Sequence, residues 1–185
     1  MQTSLAAKTT TPTEGHMRFR YLGTDDVEEL ADLWSVVHEQ HTSVAPALQD
    51  VIASLGAEEA WRRRRAQYRN WLTEPSSLAV LAERGGVPVG YAMVTVRENP
   101  QGSWDRGERV AVVQTLAIHP EAEGTGVGSG LLDEIRLQVA AQGVRDIELS
   151  ALAGSSEDIR FFEREGFRPF VTTMVCRIGG TGARD

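Results

Sequence analysis

Glycine stands at positions 124, 126, 128 and 130 of this chain, just after His119 and Pro120 and within the start of an apolar pattern of helical period. That pattern runs Val127, Leu131, Leu132, Ile135 and Val139, whereas residues 110–118 (VAVVQTLAI) ahead of the proline read as a buried strand. Proline cannot continue a central strand, so the strand ends near His119. Strand, glycine loop and helix in this order make an anion site. The first turn of a helix leaves N–H groups without intrahelical partners, and the helix dipole favours negative charge there. Glycines reach positive φ and carry no Cβ to hold a ligand away. A phosphate or pyrophosphate therefore fits the amides of residues 124–129. The plainer reading, a bare turn from strand to helix, needs fewer glycines than are present.

The spacing selects among anions. A P-loop ends in Gly-Lys-Ser/Thr, and no lysine is near. A dinucleotide fingerprint needs a third glycine where Ser129 stands, and no second βαβ half follows, which disfavours a nucleotide-dependent oxidoreductase. The phrase IHPEAEGTGVGSGLL instead resembles motif A of the GNAT superfamily, the acyl-CoA-dependent N-acyltransferases, in Pro120, Gly124, Gly126, Gly128 and the pair Leu131-Leu132. It departs at Glu123, where that family carries Arg or Gln. A carboxylate beside a pyrophosphate opposes binding unless it points to solvent. Further on, SSEDIRFFEREGF resembles motif B of the same family, with Ser155 at its Asn, Asp158 at its Ala, Phe161 at its Phe, Phe162 at its Tyr, and Gly166-Phe167 matching outright. Val89-Gly90-Tyr91-Ala92 is similar to its third-strand phrase. Together the resemblance covers residues 17–178.

The resemblance implies an acetyl-CoA-dependent N-acetyltransferase acting on a primary amine of a small molecule, peptide or protein. It implies CoA held by the backbone of Leu116, Ala117 and Ile118, by the loop from Glu123 and Gly124 through Thr125, Gly126, Val127, Gly128 and Ser129, and by Ser155, Phe161 and Phe162. Acyl transfer needs a neutral amine, a stabilised oxyanion and a proton for the leaving thiolate. The family's usual acid is the motif B tyrosine, which is Phe162 here and has no proton to give. Ser155, Ser156 or water can substitute, since a thiol of pKa ~8.5 leaves tolerably. For the base, Gln114 holds a water midway along the central strand, where some relatives carry Glu. His41, on the inner stripe of the first helix, is poised near neutrality, although a partly buried, carbonyl-paired histidine reads as well. Glu39, Glu98 and Glu108 are further candidates. The competing class is a CoA-binding or regulatory module without turnover, suggested by Glu123 and Phe162.

These residues need a frame. The chain has 185 residues, enough for one domain, expected at 17–178 between tails at 1–16 and 179–185. Residues 17–22 alternate as a first strand, and Thr24-Asp25-Asp26 starts a helix carrying Val27, Leu30, Trp34, Val37 and His41 on one stripe. A turn of helix is expected near 48–55, then a helix over 57–72. In that helix Glu58 and Glu59 precede Arg62 and Arg63 by four residues, so the run from Arg62 to Arg65 reads as a self-paired solvated face. Contact of that run with the adenosine 3′-phosphate or a nucleic acid is the alternative. Residues 77–83 and 87–97 form a hairpin about Gly85-Gly86. Strands at 146–152 and 171–178 flank a helix that Ser155-Ser156-Glu157-Asp158 starts, with hydroxyls as N-caps and acids in the first turn, and that runs over 159–165 to end at Gly166. The expected fold is α/β (α+β), a mixed, mostly antiparallel twisted sheet of 6–7 strands with about four flanking helices, as the resemblance implies. A net charge of −7 argues against nucleic acid as a partner. The single cysteine, Cys176, excludes an intramolecular disulfide framework and fits a reducing cytoplasm. No apolar run approaches the ~18 residues of a membrane span, and no secretory h-region is present. A soluble cytoplasmic protein without a metal is expected, with a homodimer left open.

Overall fold

Alternation over residues 17–22 makes β1 (Met17–Leu22). Gly23 then donates its N–H to Asp26 Oδ2 (2.8 Å), starting a 3-10 turn, Thr24–Leu30, that runs into α1 (Ala31–Val44). This computed structural model describes residues 15–44, 51–99 and 103–178. Helix α2 (Ala57–Trp71) carries two acids in its first turn, where they complement the dipole, and buries Tyr68. Strands β2 (Leu78–Arg84) and β3 (Val87–Glu98) pair through Gly85 and Gly86, whose φ values of 59° and 80° are those a two-residue hairpin turn demands. Then come β4 (Arg109–Ile118), α3 (Val127–Ala141), β5 (Asp146–Leu149) and α4 (Ser156–Arg164).

The sheet order is β1-β2-β3-β4-β5, antiparallel except for the parallel pair β4–β5. Helix α3 lays Val127, Leu131, Leu132, Ile135 and Val139 on one face, against Val80, Ala92 and Val113. Each such aliphatic side chain contributes roughly 1.5–3 kcal/mol by leaving water. The other face is covered by α1 and α2, whose Leu33, Trp34 and Tyr68 pack on Leu81, Tyr91, Met93 and Ala117. Gly90 of β3 lets α3 approach, since a Cβ there would lie 2.9 Å from Val127 Cγ1 and 2.8 Å from the Ala117 carbonyl oxygen. Gly143, with φ 75°, ends α3, and Val144 donates back to the Val139 carbonyl (3.0 Å).

Among the described residues five strands form rather than the expected 6–7, alongside four α-helices. Residues 171–178 alternate like a strand, but they form no ladder, because a pattern supplies side chains and not a partner edge. The neighbouring edge, β5, is only 4 residues long and stops at Leu149 instead of running to residue 152. The last segment is fixed by side-chain contacts instead: Phe170 meets Trp104 edge-on (centroids 5.8 Å) and lies under Arg106, while Arg177 Nε donates to the Val51 carbonyl (2.7 Å). Helix α4 starts at Ser156 with Ser155 as its N-cap and Glu157 and Asp158 in its first turn, as the residues Ser155–Asp158 lead one to expect. The turn of helix expected near 48–55 lies partly outside the described residues, and residues 51–55 carry no helix. The tails expected at 1–16 and 179–185 lie outside the described residues apart from Gly15 and His16. No described helix is long and apolar enough to cross a membrane.

Candidate active site

The site begins with a bulge in β4. Met93 pairs with Thr115 and Val94 with Val113, so Gln114 is the extra residue. A bulge bends its strand and places two consecutive side chains toward one face. Here Gln114 Nε2 donates to Thr95 Oγ1 (2.9 Å), and Thr115 Oγ1 bonds the Tyr68 hydroxyl (2.6 Å), which also bonds that of Tyr91 (3.0 Å). Burial raises the pKa of both tyrosines, so they stay neutral hydroxyls. At the same place β4 loses its other neighbour: its ladder with β5 ends at the pair Val113–Leu149. Beyond it the two chains part, and a cleft of about 1220 Å³ opens between Gln114, Thr115, Leu116 and Ile118 on one side and Ser150, Ala151 and Leu152 on the other.

One end of the cleft is the glycine loop. His119 Nδ1 accepts from the Glu121 N–H (3.3 Å), and Pro120–Ala122 form a single 3-10 turn. The amides of Glu123 and Thr125 bond back to Pro120 and Ala122 (3.2 and 3.3 Å). Those of Gly124, Gly126, Val127, Gly128 and Ser129 find no backbone acceptor among the described residues. Gly124 and Gly126 have φ of 69° and 86°, and a Cβ on either would meet no protein atom within 4 Å. That open, amide-lined ground suits a pyrophosphate. Arg84, at the end of β2, donates to Thr125 Oγ1 (3.0 Å) and to the Thr125 carbonyl (3.2 Å). In a trans peptide the carbonyl and the following N–H point in opposite directions. Arg84 therefore turns the Gly126 N–H away from itself, and it sets a cation beside the loop in which Glu123 is exposed.

The second wall is α4. The Ser155 hydroxyl accepts from the Asp158 N–H (3.4 Å) and donates to Asp158 Oδ2 (2.5 Å), a buried N-cap. Phe161 fits over Gly128, where a Cβ would come within 2.8 Å of its Cζ, and Phe162 stacks between Phe161 and Phe167 (centroids 5.2 and 5.8 Å). Ser129 Oγ donates to Glu165 Oε1 (2.6 Å), tying α3 to α4. At the far end α1 and α2 contribute His38, stacked on Trp34 (5.0 Å), with His41, Arg63 and Arg64. His41 is exposed in the wall of the cleft. Crowding by protein lowers its pKa below 6.5; Asp158 pulls the other way, while Arg64 and His38 add to the lowering.

Of the sequence-named residues, Gln114, Leu116, Ile118, Glu123, Gly124, Gly126, Val127, Gly128, Ser129, Phe161, Phe162 and His41 line this one cleft. The side chains of Ala117, buried toward α1 and α2, of Thr125, turned to Arg84, and of Ser155, spent on its cap, lie outside it, the role expected of Ala117 being its backbone's. The further candidates Glu39, Glu98, Glu108 and Ser156 lie outside it too. Sequence reasoning missed Arg84, Thr115 and Tyr68. A hairpin-end arginine carries no local signal, and Thr115 matters through a hydrogen bond 47 residues away in sequence.

A bulged central strand parting from a parallel neighbour, with free amides at the helix start between them, defines the fold of the acyl-CoA-dependent N-acetyltransferases. The Acetyltransferase (GNAT) family model matches residues 29–167, and the chain belongs to that family. It is 28% identical over 171 residues to the mycothiol acetyltransferase of Propionibacterium freudenreichii, covering 90% of this chain and 49% of that protein. With the mycothiol acetyltransferase of Acidothermus cellulolyticus it shares 30% identity over 107 residues, covering 55% of this chain and 33% of that one. The chain thus spans half or less of these relatives' lengths. Among solved structures, a GCN5-related N-acetyltransferase from Ralstonia eutropha superposes with a TM-score of 0.69 at 20% identity, covering 89% of this chain and all (100%) of that one. Aminoglycoside N-acetyltransferase AAC(6')-Iy in complex with CoA gives 0.64 at 15%, covering 92% and 100%. At these identities the structures speak for the fold alone.

Proposed function

We propose that this chain transfers the acetyl group of acetyl-CoA to a primary amine of a small molecule or peptide. The observation that carries this reading is the meeting of two unsatisfied backbone surfaces in one cleft. They are the free amides of Gly124 and of Gly126 to Ser129, and the edge of β4 that β5 abandons after Val113. The first suits a pyrophosphate, which Gly124, Gly126, Val127, Gly128 and Ser129 would hold. The second suits an extended amide-bearing arm, along Leu116 and Ile118. When bound, acetyl-CoA supplies an acetyl thioester activated for transfer.

The chain's own groups do the rest. The β4 edge orients the acyl end by hydrogen bonding, a task for the backbone to which the apolar identity of Leu116 and Ile118 is no obstacle. Phe161 and Phe162 exclude water from the same end. The amine loses its proton to a water held at Gln114 or to His41, whose pKa crowding by protein lowers. A proton for the departing sulfur comes from solvent, since Phe162 has none and the Ser155 hydroxyl already donates to Asp158. The reading sets the reaction in the cytoplasm, as the single cysteine supports, and needs neither metal nor nucleic acid.

Phe162 at the family's tyrosine position favours a second reading, a CoA-binding module without turnover. Thiol release from acetyl-CoA across a panel of amines, beside calorimetric titration with CoA, separates the two. Binding with amine-dependent thiol release supports the transferase. Binding without release for any amine supports the module, and absence of binding defeats both.

A further inference from the structure

The cleft carries a cation with no ion pair among the described residues. Of the four consecutive arginines on α2, Arg62 and Arg63 pair with Glu59 (2.5 and 2.6 Å), and Arg65 pairs with Glu28 (3.1 Å). Arg64 differs from its neighbours. It is half-buried, lines the cleft, and forms no ion pair and donates no hydrogen bond among the described residues. Its one recorded partner is the Tyr68 ring, 5.8 Å from the guanidinium carbon. That distance is near the limit of such contacts, and stacking leaves the N–H edge of a guanidinium free. Tyr68 is in turn fixed by Thr115 beside the bulge, so the cation is held next to the strand segment where transfer takes place. The carboxylates Glu157 and Asp158 line the same cleft.

Resting on the transferase reading above, we propose that the acceptor is an amine that also bears a carboxylate, in the manner of a free α-amino acid, and that Arg64 binds that carboxylate. A planar guanidinium with open N–H groups matches a carboxylate in shape and charge. A half-buried cation left without an anion is costly, and an anionic substrate removes that cost. Asp158, in the same cleft, attracts the ammonium end of such a zwitterion. A polycationic amine meets Arg63 and Arg64, and is repelled.

The test compares the common α-amino acids, each as free acid and as carboxamide, with spermidine as a cation lacking any acid. Wild-type protein, Arg64→Gln, Arg64→Lys and the exposed control Arg62→Gln are assayed for thiol release. The proposal expects free acids to exceed their carboxamides in wild type. In Arg64→Gln, KM for acids should rise about tenfold to a hundredfold, the worth of one charge-assisted hydrogen bond, with carboxamides unaffected. Arg64→Lys should recover part of the loss, and Arg62→Gln should behave as wild type. Carboxamides or spermidine equalling the acids in wild type, or an equal loss on acids and carboxamides in Arg64→Gln, overturns it. If nothing is acetylated, calorimetric titration of the same pairs into CoA-loaded protein decides. Acid binding that depends on Arg64 upholds the proposal, and no preference for acids sinks it. Should CoA itself fail to bind, the transferase reading falls, and titration into the free protein still judges Arg64.

Discussion

The two ends of α3 carry glycines under the same backbone demand but in different surroundings, which makes a matched experiment. Gly126 enters the helix at φ 86° and Gly143 leaves it at φ 75°, and a Cβ on either would meet nothing within 4 Å. Alanine in this left-handed region costs roughly 1–2 kcal/mol. Restricting the unfolded chain returns about 0.4–1 kcal/mol of that. Gly126→Ala and Gly143→Ala should therefore each destabilise by about 1 kcal/mol, a fall of roughly 2–4 °C in Tm for a chain of this size. Their effects on cofactor binding should part completely. The Cβ at Gly126 occupies the ground an anion needs and denies it at least one amide. A hydrogen bond to a charged group is worth about 1.5–3 kcal/mol, so affinity should fall roughly tenfold to a hundredfold. Gly143→Ala, outside the cleft, should bind acetyl-CoA as wild type does. Thermal melts beside calorimetric titrations measure both quantities. A folded Gly126→Ala protein with wild-type affinity would refute the placement of the pyrophosphate, and with it the reading of the loop.

Glu123→Arg should tighten CoA binding at low salt, by an amount that shrinks as salt is added; an unchanged affinity would mean that its exposed carboxylate faces away from the phosphates. Arg84→Met removes both bonds to Thr125 and a cation near the loop, and should weaken CoA binding about tenfold with little change in Tm, the partner group being solvent-exposed. Equal affinity in titration would show that the Gly126 amide needs no such support. Phe162→Tyr adds a hydroxyl near the acyl end of the cleft, and kcat should rise about tenfold or more, at similar KM, if thiolate departure limits the rate. A stopped assay showing no change would show that it does not. His41 titrates below 6.5 in the fold, so it binds fewer protons than the unfolded chain between its lowered value and 6.5. Its contribution to stability is then complete above pH 6.5 and is lost as the pH falls toward the lowered value. An NMR titration of its ring protons with a midpoint at or above 6.5 would contradict this.

Much of this frame is legible in the residues because local physics demands them. Pro120 stops a strand, positive φ selects Gly124 and Gly126, and the 3.6-residue spacing of Val127, Leu131, Ile135 and Val139 can belong only to a helix with one buried face. What stayed hidden depends on partners distant in sequence. The bulge at Gln114 is a matter of register, set by Met93 and Val94 on β3, and VAVVQTLAI alone does not show which residue is extra. Arg84 on the Thr125 carbonyl joins residues 41 apart. Ser155 reads equally as acid or as N-cap until Asp158 is seen holding its hydroxyl. Residues 171–178 show the opposite failure, a good strand pattern for which the short β5 provides no ladder.

The departures from the family pattern fall where side chains act, and the parts that match fall where the backbone acts. Glu123 and Phe162 change charge and proton supply, but they leave the free amides and the β4 edge untouched. Those surfaces come from φ angles, from the bulge at Gln114 and from the ladder ending at Val113, none of which depends on the chemistry of side chains 123 or 162. A substitution at Glu123 therefore alters binding through a screened Coulomb term, of order 1 kcal/mol at 4 Å in water. A substitution at Phe162 alters only the proton available to a leaving group that already departs tolerably. Neither removes the hydrogen-bonding frame, which accounts for how the chain keeps the family fold with both positions altered. On the transferase reading, discrimination among acceptors then falls to charged side chains elsewhere in the cleft, Arg63, Arg64, Glu157 and Asp158 among them.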